Sequence, residues 1–371
     1  MQASDLATLS TQVLWATFIL SIVFGAVAQR THFCTMGAVS DIVNMGDWTR
    51  MRQWALAIGV AMAGFGILAY LGLVDPSKVI YASNRWIWLS AAVGGSLFGF
   101  GMVLASGCGS KTLVRIGGGS LKSLVVAIVM GVSAFATMKG ITAVVRVATV
   151  DRVSVDFAAG ASLPQWLAAA FAITPSTAGL TLGLILGGGL IVWALVGRDF
   201  RRAENLIAGI AIGCVVTAMW WVSGSMGFVA EHPETLQEAF LATNSGRAEA
   251  LSFVAPVAYS LDWLMFFSDK SKVLTVGVVS VAGVIVGSWM CALSVRTFRW
   301  EGFGGTEDVA NHLVGAFLMG VGGVTAMGCT VGQGLSGIST LSATSLIAVP
   351  AILTGAVLAL KYQMWRLERL V

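Results

Sequence analysis

The chain has 371 residues, 57% of them hydrophobic and only 11% charged, with 22 Lys and Arg against 18 Asp and Glu. Soluble globular chains carry about 25% charged residues, so most soluble classes are excluded. Glycine is high at 45 residues and proline low at 6, which excludes collagen-like, disordered and proline-rich chains. The net charge of +4 comes from basic residues scattered at the ends of apolar runs, not from a basic face that could hold nucleic acid. What remains is an all-α polytopic membrane protein.

In chain order, apolar stretches long enough to cross a bilayer fall at about 12–29, 54–73, 86–106, 121–138, 178–197, 205–226, 273–296, 309–327 and 344–362, or about nine spans. The first ends in Ala26-Val27-Ala28, similar to a signal-peptidase site. Residues 1–10, however, hold Asp5 and no Lys or Arg, so we read a retained span. Arg198, Arg201 and Arg202, then Arg296 and Arg299, then Lys361, Arg366 and Arg369 mark one side as cytoplasmic. Segment 231–249, with Glu231, Glu234, Glu238 and Glu249, falls on the opposite side. These charges predict an N-terminus outside and a C-terminus in the cytoplasm.

Sliding the chain on itself by 221 residues aligns Gly94, Gly99, Gly101, Val103, Ala105, Gly107 and Cys108 with Gly315, Gly320, Gly322, Val324, Ala326, Gly328 and Cys329. A weaker echo pairs residues 35–39 with 225–229, where Gly224 takes the place of Cys34. By span parity the two halves have inverted topology. We expect one membrane transport domain over 1–371, with repeat 1 at about 12–138, a connecting span at about 178–197 and repeat 2 at about 205–362. That architecture puts a substrate site at the repeat interface.

In each half a long apolar helix stops at Gly-Cys and continues as a polar, glycine-studded stretch: Gly107-Cys108-Gly109-Ser110-Lys111 and Gly328-Cys329-Thr330-Val331-Gly332. Free backbone groups at membrane depth survive only when buried in protein or lining a cavity. We therefore expect broken or re-entrant helices that meet near the bilayer centre and aim N–H groups at an anion, with the thiol as a soft donor. The segment Gln29-Arg30-Thr31-His32-Phe33-Cys34 gives a third break. Arg30 reads as a positive-inside anchor, and Lys111 and Arg115 read equally as anchors or as an electropositive gate. Cys214 and Cys291 sit inside ordinary spans and read as packing residues. None of the five cysteines forms a C-x-x-C, so no metal site or resident cofactor is expected.

The blocks Gln29-Arg30-x-x-Phe33-Cys34, Gly94-Gly95-x-x-Phe98-Gly99-x-Gly101 leading to Gly107-Cys108, and Gly328-Cys329-x-x-Gly332-x-Gly334-Leu335 resemble the YeeE/YedE family of sulfur-transport membrane proteins. The resemblance runs from about residue 12 to 362 and implies a bacterial inner-membrane transporter with nine spans in inverted repeats. It implies that the substrate is thiosulfate or a related sulfur oxyanion, with Cys34, Cys108 and Cys329 along the path; from the residues themselves we expect Arg30, Gly107, Gly109, Lys111, Gly328 and Gly332 to support them. Paralogues linked to selenium metabolism make a selenium compound the alternative substrate. Family members often act with a small cytosolic sulfurtransferase of the TusA type. With the chain ending at Val371, such a partner would be separate.

Two other classes predict different features. A membrane thiol or sulfur-transfer enzyme needs a close cysteine pair, and the nearest in sequence, Cys291 and Cys329, are 38 residues apart. A soft-metal transporter would add carboxylate and Met-His clusters to the thiols. Residues 139–176 and 227–268 match no family motif, and no Asp or Glu pair of the proton-relay kind stands out within the spans.

Overall fold

The structure, a computed structural model, describes residues 3–369 apart from 234. It is built from fourteen α-helices. The first six are α1 (Ala3–Arg30), α2 (Thr35–Met45), α3 (Thr49–Tyr70), α4 (Trp88–Leu104), α5 (Gly109–Gly117) and α6 (Leu121–Lys139). Then come α7 (Ile141–Ala148), α8 (Leu163–Phe171), α9 (Pro175–Val196) and α10 (Ala203–Trp221). The last four are α11 (Val254–Met265), α12 (Val276–Ser294), α13 (Thr306–Thr325) and α14 (Ala343–Glu368).

Eight helical stretches of the described residues are long and apolar enough to cross a membrane. The ninth expected span, 309–327, corresponds to α13. It is 20 residues long but opens with Glu307 and Asp308, which lowers its apolarity. Glu307 pairs with Arg366 at 3.0 Å and Asp308 with His312 at 2.9 Å, so the acids sit at one end of the helix among partners.

α4 and α13 pack against each other along their glycine-rich faces, while α14 covers the other side of α4 and α6 the other side of α13. The glycines permit direct backbone contact. A β-carbon on Gly94 would stand 2.8 Å from the Gly322 carbonyl oxygen, and one on Gly101 would stand 2.6 Å from that of Gly315. The reverse contacts, Gly322 to Gly94 and Gly315 to Gly101, are also 2.6 Å. The helices therefore run antiparallel, and each glycine meets the sequence counterpart of the other glycine on its own helix. Around this centre α1 packs on α12, α10 on α3, and α9 on the outside of α3.

Segments 139–176 and 227–253 lie at one end of the bundle. The first is tied down by the Phe157 amide on Asn84, the Ala161 amide on Ser83 and the Leu163 amide on Leu341, with Trp86, Phe157 and Trp166 clustered beneath. The second carries a short antiparallel hairpin, β1 (Phe228–Val229) with β2 (Ala239–Phe240), and joins loop 71–87 through the Ile80 amide on Ala248. At the other end lie the ion pairs Arg30–Glu204, Lys122–Glu301 and Arg366–Glu307.

Candidate functional site

Three times the chain uses the same joint. Helices α1, α4 and α13 each end in a residue with left-handed backbone, His32 (φ 52°), Ser106 (φ 56°) and Met327 (φ 57°). Each lies two positions before a cysteine. In the second and third joints the hydrogen bonds match: Ser106 and Met327 amides reach Val103 and Val324, and Gly107 and Gly328 amides reach Met102 and Gly323. This is the turn that terminates helices, usually with glycine in the left-handed place. A non-glycine residue there costs about 1 kcal/mol or more and persists only where surrounding packing holds it.

The cysteine that follows starts the next helix. Cys34 caps α2 with its sulfur accepting the Gly37 amide at 3.4 Å, and Cys329 accepts the Gly332 amide at 3.4 Å. Cys108 holds the same place before α5 in extended backbone, but its sulfur makes no capping bond to an amide. In each case the cysteine carbonyl receives the amide four residues on, Ala38, Thr112 and Gln333, at 2.7–3.0 Å. The sulfurs are thus fixed at helix N-termini, where unpaired amides and the helix dipole favour negative charge.

All three cysteines are buried, at 6%, 0% and 0% exposure for Cys34, Cys108 and Cys329, and the fold gathers them. Cys34 and Cys108 adjoin each other. Cys108 also lies 3.3 Å from the Ser110 hydroxyl and against Thr330. Cys329 stands next to that threonine, and the Phe253 backbone adjoins its sulfur. Phe253 is the residue before α11, so a fourth helix N-terminus faces the cluster. Nothing in the sequence marks it, because neither a cysteine nor a polar glycine-rich break stands there.

Supporting residues separate by position. Gly332 donates to Cys329, and its carbonyl accepts the Tyr81 hydroxyl at 2.6 Å. A β-carbon on Gly109 would touch the Phe253 side chain at 3.7 Å, so this glycine lets α5 approach the start of α11. Gly107 and Gly328 belong to the joints described above. Lys111 is half-buried and within electrostatic reach of Cys34, Cys108, Arg50 and Arg115. Arg50 was not singled out by sequence; its guanidinium lies over Gly37 and pairs with buried Asp41 at 3.3 Å. Arg30 is exposed and pairs with Glu204 at 3.7 Å, the position of an anchor.

Cys214 and Cys291 lie in α10 and α12 as expected, but Cys214 is exposed on the bundle surface and Cys291 half-exposed. They face outward and pack no core. The echo segment 225–229 finishes a wide turn of π-helix after α10 and enters β1; it does not begin a half-helix as residues 35–39 do.

Beside the cysteines three buried donors have no hydrogen-bond partner among the described residues: the Thr35 hydroxyl, the Thr330 hydroxyl and the Trp54 indole N–H. Thr35 follows Cys34, Thr330 follows Cys329, and all three residues line one small cavity of about 50 Å³. Buried donors without acceptors are uncommon and cost about 1–3 kcal/mol each. No group of His, Cys, Asp and Glu among the described residues could hold a metal ion.

An all-helical bundle with eight helical stretches, among the described residues, apolar and long enough to cross a bilayer defines a multi-pass membrane protein. The chain matches the sulphur transport family over residues 30–358 and belongs to that family. It is 26% identical to the thiosulfate transporter TsuA of Escherichia coli over 328 residues, 85% of each chain. It is 25% identical to TsuA of Spirochaeta thermophila over 343 residues, 91% of this chain and 94% of that one. A shorter match, 33% over 102 residues, joins 28% of this chain to 24% of the probable transporter YedE of E. coli. Cys34 and Cys108 adjoin each other, as a thiol-exchange enzyme would need, yet the family is one of sulphur transport and these relatives are transporters, so this chain is a transporter and not an enzyme.

Proposed function

We propose that the protein takes up thiosulfate, and that the ion passes Cys329, then Cys108, then Cys34. The observation that carries this is that three buried cysteines, each at the N-terminal end of a helical segment, lie close to one another. Thiosulfate is a dianion with one soft sulfur and three hard oxygens. Neutral thiols suit the soft end; the Thr35, Thr330 and Trp54 donors suit the oxygens and would gain the acceptors they lack. Cys108 adjoins Cys34 on one side and Thr330, the residue after Cys329, on the other, which supports placing it in the middle. Cys329 adjoins Tyr81 and the 227–253 end, which we take as outside. Cys34 adjoins Lys111 and Arg50, toward the end rich in Arg and Lys, which we take as cytoplasmic.

Two inverted halves about the α4–α13 contact are the arrangement we infer, with α9 as connecting span and the cluster near the bilayer centre. The reciprocal glycine contacts support it. Moving two negative charges into a negative interior costs about 4.6 kcal/mol per 100 mV. A separate cytosolic sulfurtransferase of the TusA type that consumes thiosulfate would offset this by keeping internal concentration low.

The test is uptake of radiolabelled thiosulfate, with selenite and sulfate as competitors, in proteoliposomes. Cys34→Ala, Cys108→Ala and Cys329→Ala should each lower thiosulfate uptake by about tenfold or more, the worth of one hydrogen bond to a charged ligand. Cys214→Ser and Cys291→Ser should transport as wild type. Wild-type rates in all three motif variants would refute the path; preference for selenite would move the substrate to the selenium branch.

A further inference from the structure

A cavity of about 210 Å³ lies at the end capped by segment 227–253, and it reaches Gly328, the residue before Cys329. Tyr81, Glu249 and Tyr259 stand in its walls. On the reading above, this is the chamber an ion meets before the first thiol. Yet it holds a carboxyl group. Glu249 is buried, and its carboxylate accepts the Ser245 amide at 2.7 Å and the Asn244 amide.

Among the described residues, no cation neutralises it. Arg247 gives its guanidinium to the Ala82 carbonyl at 2.5 Å, and Lys78 is paired with Glu238 at 2.5 Å. The groups that can titrate nearby are Tyr81 from loop 71–87, with Cys329 behind it, and Tyr259 from α11, with Asp262 on the same helix. α6, α12 and α13 present no titratable side chain to the cavity. Burial holds the Glu249 carboxyl above the usual carboxylate range, outweighing the amides that favour its charged form. An ionised carboxylate and a dianion in one chamber of this size repel each other, whereas a neutral carboxyl can donate to an oxyanion.

We propose that Glu249 is a proton gate for the outer cavity: its neutral form admits the doubly charged sulfur oxyanion to Cys329, and its ionised form turns it away. The proposal rests on the thiosulfate reading. The test is initial uptake of radiolabelled thiosulfate in proteoliposomes with equal pH on both sides and the potential clamped to zero by potassium and valinomycin.

Wild-type uptake should fall by about fivefold or more between about pH 5 and about pH 7.5, a range in which thiosulfate stays a dianion and ordinary thiols stay neutral. Glu249→Gln, isosteric and permanently neutral, should keep the acid rate and vary less than about twofold over that range. Glu249→Asp, which keeps a carboxyl, should retain the slope. A flat wild-type profile, a Glu249→Gln variant that keeps the wild-type slope, or a folded Glu249→Gln variant inactive at every pH would each overturn the gate. Dependence on external sodium at constant pH, lost in Glu249→Gln, would overturn it in favour of a cation site. Absence of thiosulfate uptake in the wild type at any pH is a separate result and sinks the substrate assignment instead.

Discussion

Trp54 offers a test in which stability and affinity move in opposite senses. Its ring stacks on Phe33, with centroids 4.5 Å apart and planes 23° from parallel, and its indole N–H is buried without an acceptor. Trp54→Phe keeps the stack and deletes the donor. Releasing a buried unpaired donor returns about 1–3 kcal/mol. The smaller ring leaves a void of roughly 40 Å³, which at about 24 cal/mol per Å³ costs about 1 kcal/mol. The variant should therefore be as stable as wild type or more so, where truncating a core Trp to Ala costs about 3–5 kcal/mol.

Thiosulfate loses one hydrogen bond to a charged acceptor, about 1.5–3 kcal/mol, so Kd should rise roughly ten- to a hundredfold. Thermal unfolding in detergent and calorimetric titration with thiosulfate read the two effects separately. A Tm lowered by several degrees with Kd unchanged would refute the reasoning, since it would make the indole a packing group alone.

Two further outcomes follow from the same structure. Gly101→Val should destabilise by at least about 1–3 kcal/mol, because its β-carbon meets the Gly315 carbonyl at 2.6 Å. Gly302→Val, where nothing lies within 4 Å, should have far less effect on detergent unfolding; equal losses would refute the backbone contact. Lys122 sits 2.7 Å from Glu301 and holds its carboxyl below the usual range. That stabilisation is present above the unfolded carboxylate value and lost as pH falls below about 4.3. Glu301→Gln should flatten the acid limb of a Tm-versus-pH curve by less than about 1 kcal/mol for so exposed a pair, and an unaltered limb would remove the pair from the account.

The cysteines were legible because a thiol after glycine, at the end of an apolar helix and repeated in the other half, leaves few other readings. The long helices, α13 among them, were legible from hydropathy, although the acidic first turn of α13 keeps it out of the eight stretches apolar enough to cross a membrane. Phe253 was not legible: capping at α11 is done by backbone amides, which carry no residue label. Arg50 and Trp54 reach Cys34 and Thr330 by the folding back of α3, and Glu249 reaches the chamber beside Cys329 across 80 residues of chain. Contacts of that kind depend on packing and leave no local spacing to read. Cys214 and Cys291 show the converse, since a position within a span does not say which way a side chain looks.

The α4–α13 seam has a mechanical consequence. With each glycine backbone lodged against its opposite number, sliding one helix along the other would drive carbonyl oxygens into α-carbons within a fraction of a turn. Such a joint is keyed against shear, so the ends of α4 and α13 that lead to Cys108 and Cys329 are held in register by backbone against backbone rather than by side chains that could repack.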